Sequence, residues 1–211
     1  VIKSYQLLNK MSSEKKDDII NFFNEIALKV CEGQQMDMDF ETKNDVTIDN
    51  YLLMIELKTA VLFAASLKVA AILSGASNND IDYLYNFGLN IGIAFQLRDD
   101  YLDTFGKSDS FGKIIGSDIK SKKKTVFFIN AMQKSSEKDR IFLEKTYSEK
   151  SIVNNEDVQI VTQIFKKYGV DEYCNQLSES YYELASSNIK KVSVPYDKLK
   201  NYSELLFKRR N

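Results

Sequence analysis

The sequence predicts an all-α fold, a helical bundle formed as one domain around a central cavity. Three observations carry this. The 211 residues hold 8 Gly and 1 Pro, where average usage gives roughly 15 and roughly 10. Scarce breakers favour long helices and argue against a β-sandwich, a collagen or a disordered tail. The chain is 44% hydrophobic and 28% charged, enough to close one compact core. No repeat, low-complexity run or linker divides it, so the whole of 1–211 is expected to be a single unit.

The elements come in this order. A long helix is expected over roughly 15–38, ending in the Gly33-Gln34-Gln35 region. Thr47 caps a second helix over 48–73, because its hydroxyl can accept from a free backbone N–H in the first turn. Gly75 to Asn78 is a turn, and a third long helix spans 79–104. Phe105 to Ser121 holds three glycines and mixed charge, so a mobile loop is expected. Helices are then expected near 122–133, 137–147, 155–167, 170–190 and 196–209, the last just after the lone Pro195.

Projected at about 100° per residue, each of the three long helices has an apolar stripe that turns polar. In the first, Phe23, Ala27 and Val30 lead into Gln34 and Asp37. In the second, Tyr51 and Met54 lead into Lys58, followed by Val61, Leu62, Ala65, Val69 and Ile72. In the third, Ile81, Tyr85, Leu89 and Gly92 lead into Gln96, Asp99, Asp100 and Asp103. An isolated buried charge is very costly, so these groups need partners or a cavity. Carboxylates crowded on one arc repel, and a hard divalent cation relieves them; Mg²⁺ takes carboxylate oxygen and shares its sphere with substrate phosphates. Lys58, Lys113 and the Lys122-Lys123-Lys124 group supply cations for phosphate. The pattern points to a metal-dependent, phosphate-binding cavity between helices.

Plainer readings exist for each part. An Asp-Asp-x-x-Asp on a helix is more often a solvated face, and a lysine triplet a solvated surface run. Lys58 can snorkel, and Gln34 and Asp37 can belong to a fraying helix end. Gly88 and Gly92 mark close helix contact, and Phe22, Phe23, Phe63, Phe87 and Phe95 read as core. The coincidence on three stripes favours the site.

Composition narrows the chemistry further. There is no histidine, which excludes a histidine acid/base, a His triad and a His-ligated metal. With 29 basic and 30 acidic residues, net charge −1, the chain has no global field to hold nucleic acid. Cys31 and Cys174 are far apart and form no CxxC pair, as in a reduced, cytoplasmic protein. Val1 to Tyr5 shows no secretory pattern. The most apolar run, Ala60 to Ala76, is broken by Lys68 and falls short of the roughly 20 residues of a transmembrane span.

Several motifs carry a family resemblance. Phe95-Gln96-Leu97-Arg98-Asp99-Asp100-Tyr101-Leu102-Asp103 resembles the second aspartate-rich motif of the trans-isoprenyl diphosphate synthases, the polyprenyl synthetases. Gly33-Gln34-Gln35-Met36-Asp37 resembles the family's G-Q-x-x-D motif, and Lys58-Thr59 its K-T motif. Gly112-Lys113, Gly116-Ser117-Asp118-Ile119 and Lys123 resemble the loop after the second aspartate motif, and Phe207-Lys208-Arg209-Arg210-Asn211 the basic end of short-chain members. The first aspartate-rich motif and a Gly-Lys-x-x-Arg segment for isopentenyl diphosphate, both upstream in the family, are not among these residues. The resemblance therefore covers the C-terminal two thirds of such an enzyme, and we expect the N-terminal helices to lie outside this sequence.

The resemblance implies an isoprenoid synthase fold, a homodimer, and Mg²⁺-dependent head-to-tail condensation of isopentenyl diphosphate with an allylic diphosphate. Three Mg²⁺ per site are implied, some held by the upstream motif. It implies Asp99 as direct metal ligand, Asp100 and Asp103 through water or neighbours, and Asp118 completing the metal site. Lys58, Lys113 and Lys123 would bind the allylic diphosphate, and Gln34, Asp37, Thr59 and Gln96 would orient ligands. The Thr59 carbonyl and Gln96 amide would stabilise positive charge. Arg209 and Arg210 would fold over the second diphosphate, or form a solvated terminus. Two alternatives share the fold: a terpene-cyclising lyase, and a non-catalytic subunit of a heteromeric synthase.

Overall fold

In the computed structural model, residues 2–12, 14–43, 45–106, 115–148 and 150–207 are described. Among them every regular element is helical: α1 (Ile2–Asn9), α2 (Lys16–Thr42), α3 (Ile48–Ile55), a π-helical turn (Glu56–Ala60), α4 (Val61–Leu73), α5 (Asn78–Phe105), α6 (Ser117–Lys120), α7 (Val126–Lys134), α8 (Glu137–Thr146), α9 (Asn155–Lys167), α10 (Val170–Ile189) and α11 (Asp197–Phe207).

Side-chain caps account for the starts of α3, α5, α8 and α9. Thr47 forms a capping box with Asn50, the hydroxyl accepting from the Asn50 N–H at 3.1 Å. Asn154 forms a second capping box at α9, and the Ser77 and Ser136 hydroxyls accept from backbone N–H groups at the starts of α5 and α8, each satisfying N–H groups that the helix leaves open. At α5 the cap is extended. Asp80 accepts from the Ser77 hydroxyl at 2.9 Å and from Ser193, through its N–H at 2.7 Å and its hydroxyl at 2.6 Å. That carboxylate ties the start of α5 to the segment between α10 and α11.

The central helix is α5, with α4 packed along one side and α10 along another. Glycine permits the first contact. A Cβ on Gly92 would lie 2.6 Å from the Ala60 Cα, and one on Gly88 2.7 Å from the Ala64 Cα. Small residues on both helices thus bring the backbones together. The larger core gathers Tyr51, Leu97, Phe127, Leu143 and Phe165 between α3, α5, α7, α8 and α9. A smaller one, around Phe87, Ile91 and Ile189, closes α5 against α10. Each such side chain contributes about 1.5–3 kcal/mol by leaving water.

Several expectations change. The first long helix does not stop near Gly33 but runs to Thr42, because Gly33 serves a close approach rather than a helix end. Its buried stripe is Ile19, Ile26, Gly33 and Phe40, with Phe23, Ala27 and Val30 only half-buried. The helix expected over 48–73 is interrupted by the π turn, which advances the register of α4. Leu62 therefore points outward while Ala64 and Ala71 are buried. The expected loop 105–121 contains α6, and its 107–114 part lies outside the described residues. The helix expected from 122 begins at Val126, since Lys122 has φ 56° and cannot continue a right-handed helix. The short helix α1 has no counterpart among the expected elements.

Candidate active site

The site begins where α2 crosses the π turn. A Cβ on Gly33 would sit 2.8 Å from the Leu57 carbonyl carbon and 2.9 Å from the Leu57 Cβ, and would collide with the Lys58 backbone nitrogen. Only glycine allows this approach. One turn further along α2, Asp37 pairs with the Lys58 ammonium at 2.6 Å. Both side chains keep partial exposure, 23% and 34%, so the pair is accessible to an anion and modest in its own stabilising effect.

The π turn sets the next connection. Tyr51 and Thr59 are eight residues apart, which in a regular α-helix places them about 80° out of line. A π turn takes up one extra residue and brings both toward α5. There the Thr59 hydroxyl donates to the Gln96 Oε1 at 3.1 Å, the Gln96 Nε2 donates to the Asp100 Oδ1 at 2.8 Å, and the Tyr51 hydroxyl donates to the Asp100 Oδ2 at 2.6 Å. Gln96 and Asp100 are one turn apart on α5, so two helices are joined by a four-residue ladder.

Beyond it lies the acidic end. Asp103 accepts from the Ser117 hydroxyl and, at 2.9 Å, from the Asp118 N–H. The Gly116 N–H donates to the Asp103 carbonyl at 2.7 Å. These bonds fasten α6 to the end of α5 and bring Asp118 beside the α5 carboxylates. Lys123 pairs with Asp118 at 2.7 Å. Burial, reinforced by the Asp118 charge, pushes the Asp100 carboxyl up to about 7, against the bonds from Tyr51 and Gln96. Burial likewise raises Asp118, with the Lys123 hydrogen bond opposing and the Asp103 charge adding. Burial works against the charged form of Lys123, but its hydrogen bond and attraction to Asp118 prevail and raise it.

The lysine triplet divides. Lys122 donates to the carbonyls of Ser148 and Ser151 at 2.8 and 2.7 Å. Lys124 is buried and donates to the carbonyls of Glu41, at 3.3 Å, and Lys43 at the end of α2. Lys122 and Lys124 are thus engaged with backbone carbonyls, although Lys124 shares a cleft with Lys58 and Lys123; Lys123 sits at the acidic end.

Asp37, Tyr51, Lys58, Thr59, Gln96, Asp100 and Lys123 line one cleft. Asp103 and Asp118 adjoin it through Lys123, and Asp99 is half-buried one residue before Asp100. Gln34 is exposed, one turn before Asp37 on α2. Lys113, Arg209 and Arg210 lie outside the described residues. Sequence reasoning missed Tyr51, because an aromatic in an apolar stripe reads as core, and Ser117, whose bond to Asp103 depends on the fold. Among the described residues no group of three carboxylates or thiols forms a ready-made metal cage. The donor chemistry nonetheless fits Mg²⁺, which takes one or two carboxylates and completes its sphere with water and substrate phosphate. The mutual repulsion of Asp100 and Asp118 is what such a cation relieves.

Comparison with known proteins places this geometry. The family model for polyprenyl synthetase matches residues 1–167. The chain is 35% identical to a geranylgeranyl diphosphate synthase of Sulfolobus acidocaldarius, over 99% of this chain and 65% of that protein. It is 40% identical to a short chain isoprenyl diphosphate synthase of Methanothermobacter thermautotrophicus, over 77% of this chain and 49% of that protein. The crystal structure of a geranylgeranyl pyrophosphate synthetase from Pyrococcus horikoshii superposes with TM-score 0.87 at 30% identity, over 99% of this chain and 64% of that one. The chain thus spans less than two thirds of the length of each.

Proposed function

The chain belongs to the polyprenyl synthetase family, and from that premise we propose that its site carries out Mg²⁺-dependent head-to-tail condensation of isopentenyl diphosphate with an allylic diphosphate. The products are a short-chain prenyl diphosphate (farnesyl or geranylgeranyl diphosphate) and diphosphate. The observation that carries this reading is the single cleft in which Asp37–Lys58, Thr59–Gln96–Asp100 and Lys123 meet.

Bound Mg²⁺ supplies Lewis-acid stabilisation of the departing diphosphate. Asp99 would hold it directly, with Asp100, Asp103 and Asp118 supporting, and the resemblance implies three ions per site, some held by an upstream motif. Lys58 and Lys123 bind the allylic diphosphate, leaving Asp37 and Asp118 for it, together with Lys113. Gln34 and Asp37 orient the substrate from α2. Gln96, held at both ends by hydrogen bonds, presents a fixed dipole to the allylic cation, as does the Thr59 carbonyl. Arg209 and Arg210 would bind the second diphosphate or form a solvated terminus. Residues of the cleft exclude water that would quench the cation.

We further propose one helical domain acting as a homodimer in the cytoplasm. Leu28, Cys31 and Met38 are exposed along α2, an apolar strip suited to a second copy. No described helix is long and apolar enough to cross a membrane.

The test is incubation of the intact gene product with labelled isopentenyl diphosphate, Mg²⁺ and dimethylallyl, geranyl or farnesyl diphosphate. Label in a longer prenyl diphosphate supports the synthase and gives its chain length. Conversion of the allylic substrate to hydrocarbon without label identifies a cyclase, and no conversion a non-catalytic subunit.

A further inference from the structure

We infer that Tyr51 is a positioning residue of the metal–diphosphate site, holding Asp100 from the core side while Gln96 holds it from the cleft side. The inference rests on the proposed function and deepens it. Tyr51 is 1% exposed, and its ring is packed in the larger core with Met54, Ile55 and Leu97. Its hydroxyl donates to the Asp100 Oδ2 at 2.6 Å. A charge-assisted bond of this length, made from a ring that cannot turn, is strong and directional. The other Asp100 oxygen is taken by Gln96. Asp100 is therefore fixed on both oxygens by groups from two helices.

The consequence reaches the neighbours. Asp99 and Asp103 share the backbone of α5 with Asp100, and Gln96 lies one turn before it. With Tyr51 bound, the Asp100 carboxylate keeps one orientation, and the acidic end of α5 presents one arrangement to a metal–diphosphate ligand. Without the hydroxyl, one Asp100 oxygen is buried without a partner. The carboxylate then turns to find one, and the Gln96 bond, and through it Thr59, turns with it. Tyr51 acts through Asp100, which occupies its hydroxyl.

The variant is Tyr51→Phe, which keeps the ring and removes one oxygen. The probe is inorganic pyrophosphate titrated with Mg²⁺ by calorimetry on the intact gene product, well below the melting temperature measured in parallel. The expected result is an increase of about tenfold in the Mg²⁺ concentration for half-maximal pyrophosphate binding, as a structural role alone would not produce. An unchanged midpoint, whatever happens to the melting temperature, overturns the inference. Should Tyr51→Phe not fold, difluorotyrosine at position 51 keeps shape and hydroxyl but alters donor strength; a shifted midpoint supports the inference and an unshifted one overturns it. Asp99→Ala serves as control. Loss of binding in Asp99→Ala with none in Tyr51→Phe defeats this inference alone. Undiminished binding in Asp99→Ala defeats the functional reading, and this inference with it.

Discussion

Gly33 of α2 lies against the backbone of Lys58 in the π turn so closely that no Cβ fits between them. The ion pair one turn along α2 depends on that contact. It sets the depth at which α2 crosses the turn, and so the 2.6 Å pairing of Asp37 with Lys58.

Gly33→Ala should therefore act on stability and binding together. The clash is with backbone, which cannot turn aside, so overpacking should cost about 1–3 kcal/mol. Urea denaturation measures the loss. Weakened pyrophosphate binding should accompany it, because α2 must withdraw from Lys58.

Lys58→Ala should raise the KM for the allylic diphosphate by about tenfold to a hundredfold, the scale of a charge-assisted phosphate contact. Lys58→Arg should recover only part, since the planar fork does not reproduce a compact ammonium. Steady-state kinetics at saturating isopentenyl diphosphate separates the two.

Neighbouring lysines should behave differently. Lys124→Met should lower stability by about 2 kcal/mol, because its buried ammonium satisfies carbonyls at the end of α2. Pyrophosphate affinity should change little. Lys123→Met should do the reverse, weakening pyrophosphate binding severalfold with a smaller effect on melting.

Asp80 gives a pH-dependent prediction away from the cleft. Hydrogen bonds from Ser193 and Ser77 hold its carboxyl below the usual carboxylate range, against a smaller burial effect. A depressed folded-state value means that the unfolded chain binds the proton first as pH falls. The stability Asp80 confers is complete above its unfolded pKa near 3.8 and is lost as pH falls through the lower folded value. Asp80→Asn should therefore be less stable than the parent at neutral pH, and the gap should close at acid pH. Chemical denaturation of both proteins across that range is the measurement.

The sequence revealed much of this site because its chemistry demands particular residue types. Lys58 in an apolar stripe and four polar groups on one arc of α5 conflict with their own helices, and the conflict marks the cleft. The π turn was hidden for the opposite reason. Glu56-Leu57-Lys58-Thr59-Ala60 is ordinary helix-forming sequence, and the extra residue fits only because α2 and α5 press on that turn. Tyr51 was hidden because its ring belongs to the core and only its oxygen belongs to the site. Lys122, Lys123 and Lys124 are indistinguishable in sequence. They separate because Lys122 adopts a left-handed backbone conformation that sends the residues after it in different directions.

On the proposed function, the acidic end of α5 supports Mg²⁺-dependent prenyl transfer. Incorporation of labelled isopentenyl diphosphate by the parent protein and by Asp99→Ala, with and without Mg²⁺, tests it most directly. The expected outcome is a prenyl diphosphate product that requires Mg²⁺ and that Asp99→Ala reduces by at least about a hundredfold. Incorporation that persists without Mg²⁺, or at parental rate in Asp99→Ala, would contradict it.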